Sequence, residues 1–170
     1  MKKTSLIMVL VATACGGATP QPVGPGQSFA TERVHAGGQV KMTVPTGWAV
    51  DDSTADSLVM TAPDKSVSLN VTILDGKDLG AALLGVTGAA LIGYDDLQLV
   101  GTPVTAAING MDALFQDGRA TYHGVPVELS VGVIDTPSEK FLLVVGEAES
   151  SAFPAHEATI RRFMDGIKPM

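Results

Sequence analysis

The chain has 170 residues and one cysteine, and its 11 lysine and arginine residues are outnumbered by 18 aspartate and glutamate residues. The net charge of −7 disfavours nucleic acid and anionic lipid head groups as partners, since both repel an acidic surface. One cysteine excludes a disulfide within the chain, and the length suits a single domain with its own hydrophobic core.

The N-terminus predicts an export signal. Two lysines precede a short apolar run over residues 6–14, and the small residues Ala12 and Ala14 suit a signal peptidase. We therefore expect a signal peptide over residues 1–14, cleaved between Ala14 and Cys15. The apolar run is far shorter than the roughly 20 residues that a membrane-spanning helix needs.

Cys15 has two alternative fates after cleavage. It resembles the acceptor of a bacterial lipoprotein anchor, and acylation is favoured because a free terminal thiol would have no partner in an oxidising compartment. The alternative is a soluble secreted protein with the same new N-terminus. For the anchored form we expect the periplasmic face of the outer membrane, because Gly16 stands where an aspartate resembles an inner-membrane retention signal.

A flexible tether is predicted between the anchor and the domain. Residues 16–27 are proline, glycine and small residues that cannot build a core, so we assign residues 15–37 to the lipidated cysteine and tether. Residues 38–170 then form the domain. Loss of the two signal-peptide lysines would bring the net charge from −7 to about −9.

The first half of the domain predicts three strands and a helix. Period-two alternation indicates strands over residues 40–44, 58–62 and 67–73. The first strand ends at the sequence Pro45-Thr46-Gly47-Trp48. An apolar, glycine-rich segment over residues 79–94 predicts a buried helix that Asp75 or Asp78 can cap.

The second half predicts an antiparallel meander and a final helix. Strands are expected over residues 97–108, 111–122, 125–133 and 141–145. Asn109-Gly110 and His123-Gly124 supply tight turns between them. The segment 141–145 is apolar on both faces and is predicted to be a central strand. Phe153, Ile160 and Ile167 recur near the helical period in the last helix.

This order predicts an α+β fold. Three strands, a helix, four strands and a helix are expected to form an antiparallel sheet of about six or seven strands. The two main helices would cover that sheet, since each has apolar surface that needs such a partner.

The chain resembles the PsbP-like and DcrB-like superfamily, many of whose members are bacterial lipoproteins. The resemblance covers about residues 38–168 and is carried by the corner at 44–48, the small-residue helix, the hairpin opening at 109–113 and the helix at 155–167. It implies an α/β/α sandwich. It also implies a non-catalytic accessory role, such as assisting the assembly or stability of a larger envelope complex.

No motif predicts catalysis, a metal site or a cofactor. His35, His123 and His156 lack metal-ligand spacing, and we expect all three at the surface. Glu147 and Glu149 could serve as an acid and base pair, but their position at a strand end favours a polar rim. The chain has no Gly-x-Ser-x-Gly elbow and no phosphate-binding loop.

Trp48 is the residue singled out as a candidate binding surface. A tryptophan at this corner either plugs the core edge or forms the wall of a binding cleft. We expect a non-catalytic binding protein whose partner is another envelope protein, contacted through a sheet face or the loops around Trp48. The alternative is a periplasmic carrier of a small apolar ligand or lipid, bound between the sheet and the glycine-rich helix.

Overall fold

A computed structural model describes residues 27–54, 56–86 and 93–170. The predicted signal peptide, Cys15 and most of the predicted tether lie outside the described residues.

The described residues form ten strands and two α-helices. The strands are β1 (Phe29–His35), β2 (Val40–Pro45), β3 (Ala49–Thr54), β4 (Ser57–Thr61), β5 (Val67–Leu74), β6 (Tyr94–Ile108), β7 (Met111–Tyr122), β8 (Val125–Asp135), β9 (Phe141–Glu149) and β10 (Lys168–Pro169). Helix α1 (Leu79–Gly85) follows β5, and helix α2 (Phe153–Asp165) follows β9. A single 3-10 turn, Ala36–Gly38, separates β1 from β2.

The strands form two antiparallel sheets. The main sheet has seven strands in the order β3-β4-β5-β9-β8-β7-β6, and the small sheet has the order β1-β2-β10. The α+β class and the seven-stranded sheet are therefore confirmed. The predicted central strand is also confirmed, because β9 is the fourth of the seven strands and residues 141–146 are buried throughout.

The two predicted tight turns are present. Asn109 and Gly110 have φ of 49° and 86°, and His123 and Gly124 have φ of 49° and 81°. Positive φ at both central residues is the requirement of a type I′ hairpin turn, whose twist matches that of the strands. The second turn sets the register of β7 on β8, and the first sets that of β6 on β7 over residues 104–108, beyond which two irregularities shift the β6–β7 register.

Two hydrophobic clusters occupy the two faces of the main sheet. On one face, α2 and the small sheet pack against the main sheet, with Ile160, Phe163 and Ile167 fully buried. On the other face, Ala82, Leu83 and Val86 pack against apolar side chains of β7, β8 and β9. The arrangement is a helix, sheet and helix sandwich.

The predicted boundary at residue 38 falls after the first strand. Residues 29–35, which the sequence predicts to be part of the tether, form β1 and pair with β2. Most side chains of β1 are exposed, so the strand carries little apolar alternation. Strands β3 and β10 were also not predicted, because β3 is rich in aspartate and small polar residues and β10 has two residues.

The glycine-rich helix begins where predicted. Asp78 is its N-cap, and the Asp78 carboxylate accepts a hydrogen bond from the Ala81 amide at 2.8 Å. Of the predicted span 79–94, residues 87–92 lie outside the described residues. Among the helices that the structure describes, none is long and apolar enough to cross a membrane.

Candidate functional site

A cleft of about 220 Å³ opens on the α1 side of the main sheet, at the end formed by the start of β5 and the end of β9. Seven of its lining residues carry polar or aromatic side chains: Lys65, Ser66, Ser68, Tyr122, His123, Glu147 and Glu149. We call this feature the Glu147 cleft.

The period of two in β9 places both glutamates in the cleft. Residues 143, 145, 147 and 149 share one face of the strand, and Leu143 and Val145 belong to the cluster beneath α1. The same face becomes polar at Glu147, opposite Ser68 of β5 and Leu129 of β8. The cleft is therefore the polar continuation of an apolar layer.

Glu147 is half-buried, and burial raises the pKa of its carboxyl group because the charged form loses hydration. The hydroxyl of Tyr94 donates a hydrogen bond to the Glu147 carboxylate. Within the described ranges, neither Glu147 nor the exposed Glu149 forms an ion pair with a lysine, arginine or histidine.

Aromatic rings lie beside these carboxylates. Tyr94 and Tyr122 are partners in the register of β6 and β7, and their ring centroids are 5.0 Å apart at an interplanar angle of 33°. The ring of His123, at the adjoining turn, meets Tyr122 edge-on at a centroid distance of 4.3 Å. The geometry is suited to contact with an apolar or cationic group.

A second polar cluster links α2 to the turn before β5. The Ser66 hydroxyl donates a hydrogen bond to Asp64 Oδ1 at 2.6 Å and lies 3.0 Å from Nε2 of the buried His156. Because the serine proton is directed at Asp64, the imidazole donates from Nε2. His156 Nδ1 has no hydrogen-bond partner among the described residues.

Charge and burial act in opposite directions in this cluster. Burial lowers the pKa of His156, although the Asp64 carboxylate partly offsets that shift. Burial would raise the pKa of Asp64, but hydrogen bonds from the Ser66 hydroxyl and amide, with the charge of His156, lower it. The carboxylate does not orient the imidazole as in a Ser-His-Asp triad, so the cluster fastens α2 to the sheet.

The prediction of three surface histidines was wrong for two of them. His35 is 4% exposed and accepts a hydrogen bond from the Gly38 amide at 3.2 Å, while His156 is 1% exposed. The spacing of His156 from Phe153 and Ile160 places it on the buried face of α2. His123 is exposed at its turn.

Metal ligands do not gather in the described part of the chain. No three histidine, cysteine, aspartate or glutamate side chains there lie close enough together to hold an ion. The acidic residues Asp51, Asp52 and Asp56 lie in and beside the edge strand β3, with most of their side chains exposed.

Trp48 is 7% exposed and belongs to the core cluster beneath α2. Its Nε1 is buried with no hydrogen-bond partner among the described residues. Trp48 does not line the Glu147 cleft. Ala14 and Cys15, the predicted cleavage and lipidation residues, lie outside the described residues.

Tyr122, which lines the cleft, and Tyr94, which donates to Glu147, were not predicted as site residues. Counted from the Asn109-Gly110 turn alone, Tyr122 would face Leu97. Two register shifts in the β6–β7 pairing bring Tyr94 opposite Tyr122 instead, so this pair was not available from the turn. Their proximity to Glu147 was not available, because it depends on the order of strands in the sheet.

No protein-family model matches the sequence, and no curated protein matches it. Solved structures show the fold. Cyanobacterial PsbP (CyanoP) from Synechocystis sp. PCC 6803 aligns with a TM-score of 0.63 at 12% identity, over 94% of this chain and 99% of that chain. LpqN, involved in cell envelope biogenesis of Mycobacterium tuberculosis, aligns with a TM-score of 0.53 at 15% identity, over 81% and 88%.

A further neighbour is PA94 from Pseudomonas aeruginosa, a protein of unknown function. It aligns with a TM-score of 0.50 at 14% identity, over 81% of this chain and 95% of that chain. The chain therefore has a PsbP-like fold. At these identities the likeness concerns the fold alone.

Proposed function

We propose that the chain is an exported lipoprotein, acylated on Cys15, whose PsbP-like domain acts at the cell envelope by binding rather than by catalysis. The observation that carries the proposal is the position of Cys15. The only cysteine of the chain directly follows a lysine-led apolar run and the small residue Ala14.

The position of the first strand fits a tethered domain. β1 begins at Phe29, so residues 16–28 separate Cys15 from the sheet. A chain of that length spans at most about 45 Å when fully extended. An anchor on Cys15 would therefore keep the domain close to the membrane surface, within reach of membrane-bound partners.

The neighbours support an accessory role at the envelope. LpqN shares the fold and is described as involved in cell envelope biogenesis, and CyanoP is a cyanobacterial PsbP. A binding role also agrees with the described side chains. The Ser66 hydroxyl donates its proton to Asp64 and not to His156, so His156 does not activate Ser66 as a nucleophile. We infer an envelope protein as the partner.

The alternative function, carriage of a small apolar ligand between the sheet and the glycine-rich helix, is not supported by the described residues. Over residues 79–86, the space between α1 and the sheet is occupied by Ala82, Leu83 and Val86. The accessory role is therefore the function we propose.

Fatty-acid labelling tests the proposal. Cells expressing the full-length chain are fed an alkyne-bearing palmitate analogue, and the purified protein is coupled to a fluorophore. We expect label in the natural chain and in a Thr19→Ala control, and none in Cys15→Ser. Label retained in Cys15→Ser, or absent from all three, would contradict acylation of Cys15.

A further inference from the structure

The Glu147 cleft combines two carboxylates with partial burial, and neither carboxylate forms an ion pair with Lys65, the lysine that lines the cleft. Glu147 and Glu149 lie two residues apart on one face of β9, about 7 Å along the strand. Among the described ion pairs, none includes either residue. A half-buried carboxylate without an ion-pair partner is poorly compensated, so a bound cation would stabilise its charged form.

The aromatic side chains define what kind of cation fits. Tyr122 of β7 lines the cleft. Tyr94, on the adjacent strand β6, donates a hydrogen bond to Glu147. A tyrosine face attracts an ammonium group within about 6 Å of the ring centre, most strongly where water is excluded. The described residues bring together no group of three histidine, cysteine, aspartate or glutamate side chains that could hold a metal ion, and the aromatic contact favours an organic cation.

The size of the cleft also suits an organic cation. Its volume of about 220 Å³ is many times the roughly 10–15 Å³ that one water molecule needs. That space accommodates an ammonium head with a short alkyl chain. Val125 and Val127 supply apolar surface in the same cleft for such a chain.

We propose that the Glu147 cleft binds an alkylammonium group, with the Glu147 carboxylate as its counter-ion and Tyr122 as its aromatic contact. The group has two sources, a free small amine or the lysine side chain of a protein partner. The lysine source rests on the proposed binding role at the envelope, whereas cation binding by the cleft is independent of acylation on Cys15.

Lys65 adds a positive charge to the cleft. It lines the cleft from the turn before β5, and it forms no ion pair with a described acidic side chain. A cationic ligand entering the cleft meets repulsion from this ammonium group. Removing the charge of Lys65 should therefore strengthen binding of a cation and weaken binding of an anion.

Calorimetric titration of the purified full-length chain in nonionic detergent tests the site. The probes are butylammonium, butyrate and N-acetyl-lysine-N-methylamide. We expect the two ammonium compounds to bind and butyrate not to bind. Glu147→Gln should weaken ammonium binding about tenfold or more, because the charged contact is lost, and Tyr122→Leu should weaken it about three- to tenfold.

Two variants serve as controls. Asp112→Asn removes one exposed carboxylate and should leave binding unchanged. Asp112 lies six residue steps, or about 20 Å, along β7 from Gly118, which aligns with Glu147 through Leu129 of β8. Lys65→Met should tighten ammonium binding severalfold. Tighter binding of the lysine compound than of butylammonium assigns the cation to a protein partner, and the reverse assigns it to a free amine.

Three results would overturn the proposal: ammonium affinity unchanged in Glu147→Gln, weaker ammonium binding in Lys65→Met, or preferential binding of butyrate. Circular dichroism spectra matching the natural chain establish that each variant is folded. Failure of these titrations would leave the fatty-acid labelling result unaffected, so the two proposals fail separately.

Discussion

Ile160 of α2 packs directly on Gly146 of the central strand β9. A Cβ atom built on Gly146 would overlap Cγ2 of Ile160 and lie 3.0 Å from its Cγ1. Both residues lie in the centre of the sandwich, and Ile160 is fully buried. The absence of a side chain at residue 146 is therefore what allows α2 to approach the sheet so closely.

Gly146→Ala should destabilise the domain by about 1–3 kcal/mol, because an added methyl group overpacks a filled core. Urea unfolding measures the change. In the Ile160→Ala background the same substitution should cost less, giving a coupling energy of about 0.5–3 kcal/mol.

Gly85→Ala is the matched control, since a Cβ at this helical position would meet nothing within 4 Å. It should be neutral or stabilising by up to about 1 kcal/mol. Equal losses in the two glycine variants would contradict the close-approach explanation.

Asn109 connects the β6–β7 turn to the end of α2. Its side-chain amide donates to the carbonyl of Asp165 at 3.0 Å and to that of Ile167 at 2.7 Å, and its φ is 49°. Asn109→Gly keeps the backbone conformation and loses both hydrogen bonds, at an expected cost of about 1–3 kcal/mol.

Asn109→Ala should cost more than Asn109→Gly, because alanine also disfavours positive φ. His123→Gly is the comparison at an exposed turn residue with the same φ of 49°. If Asn109→Gly cost no more than His123→Gly in urea unfolding, the amide bridge would not contribute to stability.

His156 should make the domain less stable in mild acid. Burial lowers its pKa in the folded state, so the unfolded chain binds more protons once the pH falls below about 6.5. Stability is fully present above that pH and decreases below it, by up to about 1.4 kcal/mol per pH unit.

The measurement is the free energy of unfolding between pH 7.5 and 5 in the natural chain and in His156→Gln. Glutamine keeps a side-chain donor for Ser66 but does not titrate. The slope should be shallower in His156→Gln, and an equal slope would show that another group is responsible.

Glu147 acts in the opposite direction. Burial raises its folded pKa, so the folded state binds its proton more tightly, and stability declines as the pH rises from about 4.3 through the folded pKa. Glu147→Gln should remove this decline and be more stable than the natural chain at pH 7. A Glu147→Gln variant that is less stable at pH 7 would contradict the poor compensation of the carboxylate.

Local signals predicted the central part of the fold. Asn109-Gly110 and His123-Gly124 specify type I′ turns, and the apolar run over residues 141–145 specifies a strand buried on both faces. The helical spacing of Phe153, His156 and Ile160 also indicates that His156 is buried, although histidine as a residue type suggested a surface position. These features depend on residues close in sequence.

The remaining features depend on distant contacts. Strand β1 is held by its pairing with β2 and has mostly exposed side chains, so no alternation identifies it. The Glu147 cleft requires residues 94 and 147 to meet across four neighbouring strands, and sequence patterns do not specify strand order. The predicted role of Cys15, in contrast, depends only on the residues next to it in the sequence.

The mass of the N-terminal peptide tests the central claim most directly. The chain is purified from the envelope of cells that export it, digested, and analysed by mass spectrometry. The account predicts a peptide that begins at Cys15 and carries thioether-linked diacylglycerol. An unmodified peptide beginning at Cys15, or one that retains residues 1–14, would contradict it.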